Sequence, residues 1–397
     1  MLSAMASGTS VIKGLSPGLD VQATGVIMGQ LGASVHYETN EVVVKGRDEC
    51  LLATDEALDC GNSGTTMRLL CGVVSAIDGE HRLVGDSSLS KRPMDRVATP
   101  LHLMGANVRG QGERVTAPLL VTGHTSLRSV SYHVPTPSAQ VKSAILIAGL
   151  HASGPTVVVE DVRTRSTTED MLRLAGIAVE SRDEGDGRIV TVQPGRPVAT
   201  SWSVPGDPSQ AAFFCVLGAV HADARLEIVD VDPSPERTGF VSVLQRMGAK
   251  LTVQRSAATV TLVSESSELV GTEIHANEIP SVDEVPALAV AAAAARGISA
   301  FRDMGELRLK ESDRFEGSMQ LASALGCRVW SEGDDFFVEG LGDCARFSDF
   351  TLDAGLDHRL VMSSAVAGTA GNGCSIKGAD TVASSYPHFF QVLASLA

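Results

Sequence analysis

Apolar residues along this chain fall into two kinds of segment. Short β-branched or aromatic runs, such as Val42-Val43-Val44 and Phe336-Phe337-Val338, suit strands. Longer apolar stretches suit buried helices. One begins at Ser138 and runs to Leu150, and another is Val285–Ala295, which is too short to span a bilayer. One pattern links them: a helix ending in Leu, Met or Ala, then Gly, then a short polar hairpin between two strands. It occurs at Leu31-Gly32-Ala33, Met104-Gly105-Ala106, Ala175-Gly176-Ile177, Met247-Gly248-Ala249 and Leu325-Gly326-Cys327, with the glycines 73, 71, 72 and 78 residues apart. Each glycine is expected in the left-handed position that closes a helix.

A period this long exceeds that of a solenoid repeat and fits a βαβαββ unit used several times. Five copies are visible, and a sixth glycine would fall just past the helix expected over 389–397. The chain therefore reads as an α/β (α+β) protein of six units, three per domain, with the first and last incomplete. The boundary is expected near Ser201–Val204, giving domains 1–203 and 204–397. Gly206-Asp207-Pro208-Ser209 then opens a new helix, with Asp207 as N-cap and Pro208 in the first turn.

Composition narrows the function classes. With 397 residues, 44% hydrophobic and 20% charged, the chain has ample material for two cores. A formal net charge of −15 without a Lys/Arg cluster weighs against nucleic acid or an anionic membrane as partner. An anionic small molecule would need a locally positive pocket. The seven cysteines (Cys50, Cys60, Cys71, Cys215, Cys327, Cys344, Cys374) show no metal or redox spacing and are expected to be buried, inert thiols in a reducing compartment. The N-terminus lacks the cationic opening of a signal peptide, so the expected location is the cytoplasm.

Candidate chemistry concentrates at helix starts. Leu307-Arg308-Leu309-Lys310-Glu311-Ser312-Asp313-Arg314 packs three cations and two carboxylates into what reads as the beginning of a helix, where Lys310 and Arg314 would share a face and Glu311 would pair with Arg314. A mixed-charge run is ordinarily a solvated face. Here it comes after a strand-like segment, Ser299–Arg302, and Lys310 lies 27 residues beyond a carboxylate, Asp283, at another helix start. Gly61-Asn62-Ser63-Gly64 runs into a helix through Arg68, Lys91-Arg92-Pro93-Met94 precedes another, and Ser138-Ala139-Gln140 starts a third. Arg165-Ser166-Thr167-Thr168-Glu169 has a capping-box pattern behind a cation, and Asp357-His358-Arg359 precedes an apolar run. Unpaired N–H groups and the positive dipole end at such starts attract phosphate and carboxylate, so their convergence would give an acidic protein a cationic pocket. Taken singly, each motif also reads as a plain turn, cap or surface ion pair. His358 has no second ligand at metal spacing, and neither a nucleophile elbow nor a P-loop occurs.

Together these stretches resemble, in family order, the 5-enolpyruvylshikimate-3-phosphate synthase family, with Leu309–Arg314 and Asp357–Arg359 the most specific combination. The resemblance implies a two-domain inside-out α/β barrel with the active site between the domains. It implies attack of the 5-hydroxyl of shikimate 3-phosphate on C2 of phosphoenolpyruvate, protonation of the methylene carbon, and loss of phosphate from a tetrahedral intermediate. By resemblance, Asp283 is the base facing the hydroxyl and Glu311 the proton donor to the methylene. Ser138, Ala139, Gln140, Arg165, Asp283 and Lys310 would contact shikimate 3-phosphate. Asn62, Gly64, Arg92, Gln140, Arg314 and Arg359 would contact phosphoenolpyruvate. No metal or organic cofactor is implied, and the expected protein is a monomer acting on small molecules. Gly64 stands where alanine lowers glyphosate sensitivity in the family, so sensitivity is expected.

Two departures qualify the resemblance. Thr167 stands where relatives often carry His. The family's Lys-Ser-x-Ser-x-Arg run does not occur in this sequence, whose opening aligns with the segment just after that run. The first unit accordingly reads as short, and low turnover is expected of the chain as it stands. The alternatives are a weakly active or inactive paralogue with a ligand-binding role, a UDP-N-acetylglucosamine enolpyruvyl transferase, or a non-enzymatic repeat scaffold. The second of these is disfavoured because no cysteine sits beside an Arg-Pro motif; the third leaves the polar helix starts unexplained.

Overall fold

Five glycines that close helices carry the repeat into three dimensions. Gly32, Gly105, Gly176, Gly248 and Gly326 all have φ between 78° and 103°, a region that side chains with a Cβ rarely enter. In the computed structural model, which describes residues 1–279, 281–343 and 346–396, each of them ends a helix and begins a hairpin strand. The chain divides into two compact units, Met1–Val204 and Pro205–Ala397.

The complete repeat is clearest at residues 58–123. Strand Leu58–Asp59 pairs in parallel with strand Gly79–Val84 across the helix Gly64–Val74. After a second helix, Asp95–Met104, the hairpin of Asn107–Gln111 and Thr116–Gly123 completes a four-stranded mixed sheet. Strands 131–134, 156–160, 179–184 and 187–192 repeat the arrangement in the first unit, and strands 273–275, 296–302, 328–332 and 335–341 repeat it in the second. The first sheet is built differently. Its outer strand is Ser201–Ser203, which pairs in parallel with Gly8–Lys13, so the end of the first unit closes onto its beginning. The second unit opens on a three-stranded sheet and ends on the parallel pair Phe350–Asp353 and Cys374–Lys377.

In both units the helices form the centre. Helices Pro208–Val220, Val285–Ala294 and His358–Ala370 are buried along almost their whole length, as a helix without a polar face must be. In the first unit Gly64–Val74 and Ala139–Gly149 take this role. They approach so closely that a Cβ on Gly72 would lie 2.4 Å from the Ala144 carbonyl oxygen. Sheets lie outside and helices inside in each unit, so the N-termini of the central helices are where the polar helix starts gather.

Two expectations are corrected. Cys50 and Cys374 are exposed, because they sit on a surface turn and an edge strand; Cys60, Cys71, Cys215 and Cys327 are buried, and Cys344 lies outside the described residues. The last helix, expected over 389–397, runs Phe389–Ser395 with Leu396 as its cap, and Ala397 lies outside the described residues. No helix of the described residues is long and apolar enough to cross a membrane.

Candidate active site: one set of polar residues in each unit

In the first unit, three helix or loop starts supply the set. Ser63 caps the helix Gly64–Val74, its side chain accepting from Thr66 N at 3.1 Å. Gly64 then lies against two guanidiniums, and a Cβ there would stand 3.0 Å from both Arg68 Nη1 and Arg92 Nη1. Arg92, only 7% exposed, donates from Nη2 to Asn62 Oδ1 at 2.7 Å, and Asn62 donates in turn to Asp86 Oδ2 at 2.5 Å. Ser138 caps the helix Ala139–Gly149, accepting from Val141 N at 3.3 Å. Gln140 accepts from Arg68 Nη1 at 2.6 Å and donates to Thr65 Oγ1 at 2.7 Å. These bonds bring Asn62, Gly64, Arg92 and Gln140 into one chain of contacts, with Ser138 and Ala139 on the same helix start. Arg165 is half-buried on the loop before the helix Thr167–Leu174.

Arg68 is the connector here, and no motif in the sequence assigns it a role. It sits one turn after Gly64 on the same helix face, which is the signal that could have found it. The capping box expected at Ser166–Glu169 does not form: Ser166 makes no side-chain cap, and Glu169 is buried against Lys142 Nζ at 2.8 Å. An ammonium attracts the carboxylate more strongly than a neutral backbone N–H does.

In the second unit, the charged octet is not a helix start throughout. A 3₁₀ helix, Met304–Leu309, takes in its first three residues, Lys310–Asp313 are irregular, and the α-helix begins only at Arg314 with Asp313 as cap, accepting from Glu316 N at 3.0 Å. Lys310 and Arg314 therefore do not share a helix face. The segment is shaped by tertiary bonds instead: Ser312 Oγ donates to Asp357 Oδ2 at 2.8 Å, and Arg314 Nε reaches the same oxygen at 2.8 Å.

Arg314 is the hub. It is 1% exposed and also donates to Asp283 Oδ1 at 2.9 Å, while its Nη2 lies 2.5 Å from Glu311 Oε2. Asp283 further meets Arg359 Nη2 at 3.2 Å and Lys310 Nζ at 3.9 Å. Lys310 donates to the Ser281 carbonyl at 3.1 Å. Asp283 leaves a turn in which Val282 has φ +48°, a conformation that costs a β-branched residue about 1–3 kcal/mol and marks a shape imposed by its surroundings. In this unit the cations are matched by carboxylates: Lys310, Arg314 and Arg359 face Asp283, Glu306, Glu311 and Asp357, three of the four on Arg314. A buried guanidinium demands such partners, because an unpaired buried charge is far more costly than a paired one.

Burial and these charges set the titration of the hub. Burial alone would lower the pKa of Arg314, but Asp357, Glu311 and Asp283 raise it. Burial pushes Asp357 up; Arg314 and then His358 overcome this and hold it well below the usual carboxylate range. Burial, then Arg359 and Arg314, lowers His358 to about 4, so it is a neutral imidazole at pH 7. Beside Asp283, the fully buried Glu284 is raised by burial and by the Asp283 charge, while Ser209 and Ser281 donate to it.

Comparison with known proteins extends this picture. The model of the family EPSP synthase (3-phosphoshikimate 1-carboxyvinyltransferase) matches residues 1–393. The 3-phosphoshikimate 1-carboxyvinyltransferase of Bacillus thuringiensis subsp. konkukian is 39% identical over 408 residues, covering 100% of this chain and 93% of that protein. That of Bacillus cereus strain ATCC 10987 is 38% identical with the same coverage. Among solved structures, EPSP synthase from Acinetobacter baumannii superposes with a TM-score of 0.85 at 37% identity, covering 100% of this chain and 92% of that one. The enolpyruvyl transferase NikO from Streptomyces tendae, at 20% identity and a TM-score of 0.76, shares the fold. A family match over nearly the whole length, relatives near 39% identity and the same inside-out α/β architecture agree, and the chain belongs to the EPSP synthase family.

Proposed function

We propose that the chain transfers the enolpyruvyl group of phosphoenolpyruvate to the 5-hydroxyl of shikimate 3-phosphate and releases phosphate. The observation that supports it best is a single carboxylate, Asp283, facing Arg314, Arg359 and Lys310 at 2.9, 3.2 and 3.9 Å. Fixed cations around a carboxylate mark where substrate anions compete for the same donors. The carboxylate and phosphate of phosphoenolpyruvate would take guanidinium donors from Asp283 and Glu311. Asp283 then accepts the proton of the attacking hydroxyl, and Glu311 delivers a proton to the methylene carbon. C2 becomes tetrahedral, its bond to the phosphate oxygen breaks, and the methyl group returns a proton as the vinyl ether forms. Paired acid–base groups and preorganised cations are what a multiply charged intermediate of this kind requires.

The remaining roles follow the same assignment. Ser138, Ala139, Gln140, Arg165, Asp283 and Lys310 hold shikimate 3-phosphate, while Asn62, Gly64, Arg92, Gln140, Arg314 and Arg359 hold phosphoenolpyruvate. No step is routed through a metal or organic cofactor. We place the protein in the cytoplasm, as a monomer; six free thiols among the described residues suit a reducing compartment.

The test is a phosphate-release assay with product mass spectrometry. Phosphate that appears only when both substrates are present, with an enolpyruvyl adduct of shikimate 3-phosphate, supports the assignment. Binding of both substrates with no adduct would refute it, as would adduct formed on UDP-N-acetylglucosamine instead.

A further inference from the structure

Lys142 is the one charged residue of the helix Ala139–Gly149, and it is fully buried. Its ammonium lies 2.9 Å from Glu160 Oε2 and 2.8 Å from Glu169 Oε1, and it donates to the Thr164 carbonyl at 3.5 Å. Both carboxylates are also buried, with side chains 1% and 0% exposed. Thr164 Oγ1 donates to Glu160, and Ser143 and Thr168 share a hydrogen bond of 2.6 Å alongside. Neither oxygen of Glu169 has a hydrogen-bond partner among the described residues, so Glu169 is held by the charge of Lys142 rather than by a directed bond.

Stability does not explain such a cluster. One ammonium faces two carboxylates in the buried interior, and replacing buried ionic triads by apolar residues is often neutral or stabilising. Its geometry has another consequence. Lys142 ties three separate pieces of chain: it donates to Glu160 at the end of the strand Thr156–Glu160 and to the loop carbonyl of Thr164, and it forms an ion pair with Glu169 in the first turn of the helix Thr167–Leu174. Arg165 follows Thr164 directly and stands four residues before Glu169, on the loop that enters the helix. Ser138 and Gln140 lie one turn and two residues before Lys142 on its own helix. The groups assigned to shikimate 3-phosphate in this unit therefore stand on two sides of one buried ammonium.

We propose that Lys142, Glu160 and Glu169 form a positioning cluster that fixes the Arg165 loop against the start of the helix Ala139–Gly149, and so sets the affinity for shikimate 3-phosphate. This rests on the function proposed above. The cluster touches no substrate; it holds the spacing between Arg165 and the Ser138–Gln140 turn. An ammonium held by two hydrogen bonds and an ion pair fixes these pieces directionally, whereas apolar burial is non-directional.

Two variants test it. Lys142→Met/Glu160→Gln/Glu169→Gln removes all three charges at nearly constant shape. Glu169→Met removes only the tie to the second helix and leaves a neutral Lys142–Glu160 pair. Calorimetric titration with shikimate 3-phosphate, the KM for phosphoenolpyruvate and the thermal midpoint are read for each and for the parent. The expected result is a loss of shikimate 3-phosphate affinity of about tenfold or more in both variants, while KM for phosphoenolpyruvate stays within about twofold. The thermal midpoint is expected to hold or rise. Unchanged shikimate 3-phosphate affinity in folded variants overturns the inference alone. Variants that do not fold also overturn it, since the cluster would then serve stability. No binding of shikimate 3-phosphate to the parent overturns the proposed function and this inference with it.

Discussion

Replacing Asp357 by Asn tests whether Arg314 is a charged hub or merely a well-packed side chain. Asp357 is fully buried and receives four bonds: Arg314 Nε at 2.8 Å and Nη2 at 3.3 Å, Ser312 Oγ at 2.8 Å and Arg359 N at 2.9 Å. Asn keeps the shape and can still cap the helix His358–Ala370, because Asn and Asp are equivalent N-caps. What it loses is the charge and one acceptor oxygen, which becomes an NH₂ turned towards donors. Arg314, at 1% exposure, would retain Asp283 and Glu311, whose side chains are 25% and 21% exposed. Removing one partner of a buried ion pair costs about 3–5 kcal/mol. For a unit of this size that corresponds to a fall in thermal midpoint of about 6–20 °C. Scanning calorimetry that resolves the second unit, with urea unfolding as a check, measures it. Arg314 would then draw more heavily on Asp283 and Glu311, so the KM for phosphoenolpyruvate is expected to rise as well. A stability loss below about 1 kcal/mol would refute the charged-hub account, since that is the range of an exposed pair.

Further predictions address single groups. Gly64→Ala places a Cβ 3.0 Å from two guanidinium nitrogens, which must give by a few tenths of an ångström; the KM for phosphoenolpyruvate and the Ki of glyphosate are expected to rise together, with shikimate 3-phosphate affinity unchanged, and a parent insensitive to millimolar glyphosate would contradict the expected sensitivity. His358 has a folded pKa of about 4 against an ordinary 6.5, so the unfolded chain binds the extra proton between those values. Its contribution is present above pH 6.5 and lost as pH falls towards 4, by about 3 kcal/mol in all. Urea unfolding at a series of pH values should show that slope flattened in His358→Gln, and identical slopes in variant and parent would count against it. Asp283→Asn is expected to lower kcat by about 10²–10⁴-fold, the usual worth of a positioned base, in single-turnover measurements with shikimate 3-phosphate binding retained.

Residues differ in how openly the sequence shows their place. Gly32, Gly105, Gly176, Gly248 and Gly326 are legible because a positive φ at a helix end admits few other residues, so the requirement stamps itself on the chain at a fixed period. The caps Ser63, Ser138, Asp207 and Asp357 are legible for a similar local reason: each accepts from an N–H two or three residues away. Residues 307–314 mislead because local spacing suggests a helix while Ser312 and Arg314 answer to Asp357, more than forty residues on. Lys142 does not stand out for the same cause, as its partners lie 18 and 27 residues downstream. The closing strand Ser201–Ser203 pairs with a strand almost two hundred residues earlier, and nothing in its own three residues names that partner. Local conformational demands write themselves into sequence; long-range electrostatic choices do so only when both partners are known.

In the proposed reaction Glu311 protonates the methylene carbon of phosphoenolpyruvate while Asp283 takes the hydroxyl proton. Turnover in D₂O follows both proton transfers, with the product's vinyl methylene read by mass spectrometry and proton NMR. Deuterium is expected in that methylene, because the transient methyl group gains a solvent-derived proton and then loses one of three. Incorporation is expected to slow by about 10²-fold or more in Glu311→Gln. Product formed without deuterium, or incorporation at the parental rate in Glu311→Gln, would contradict the proposed reaction.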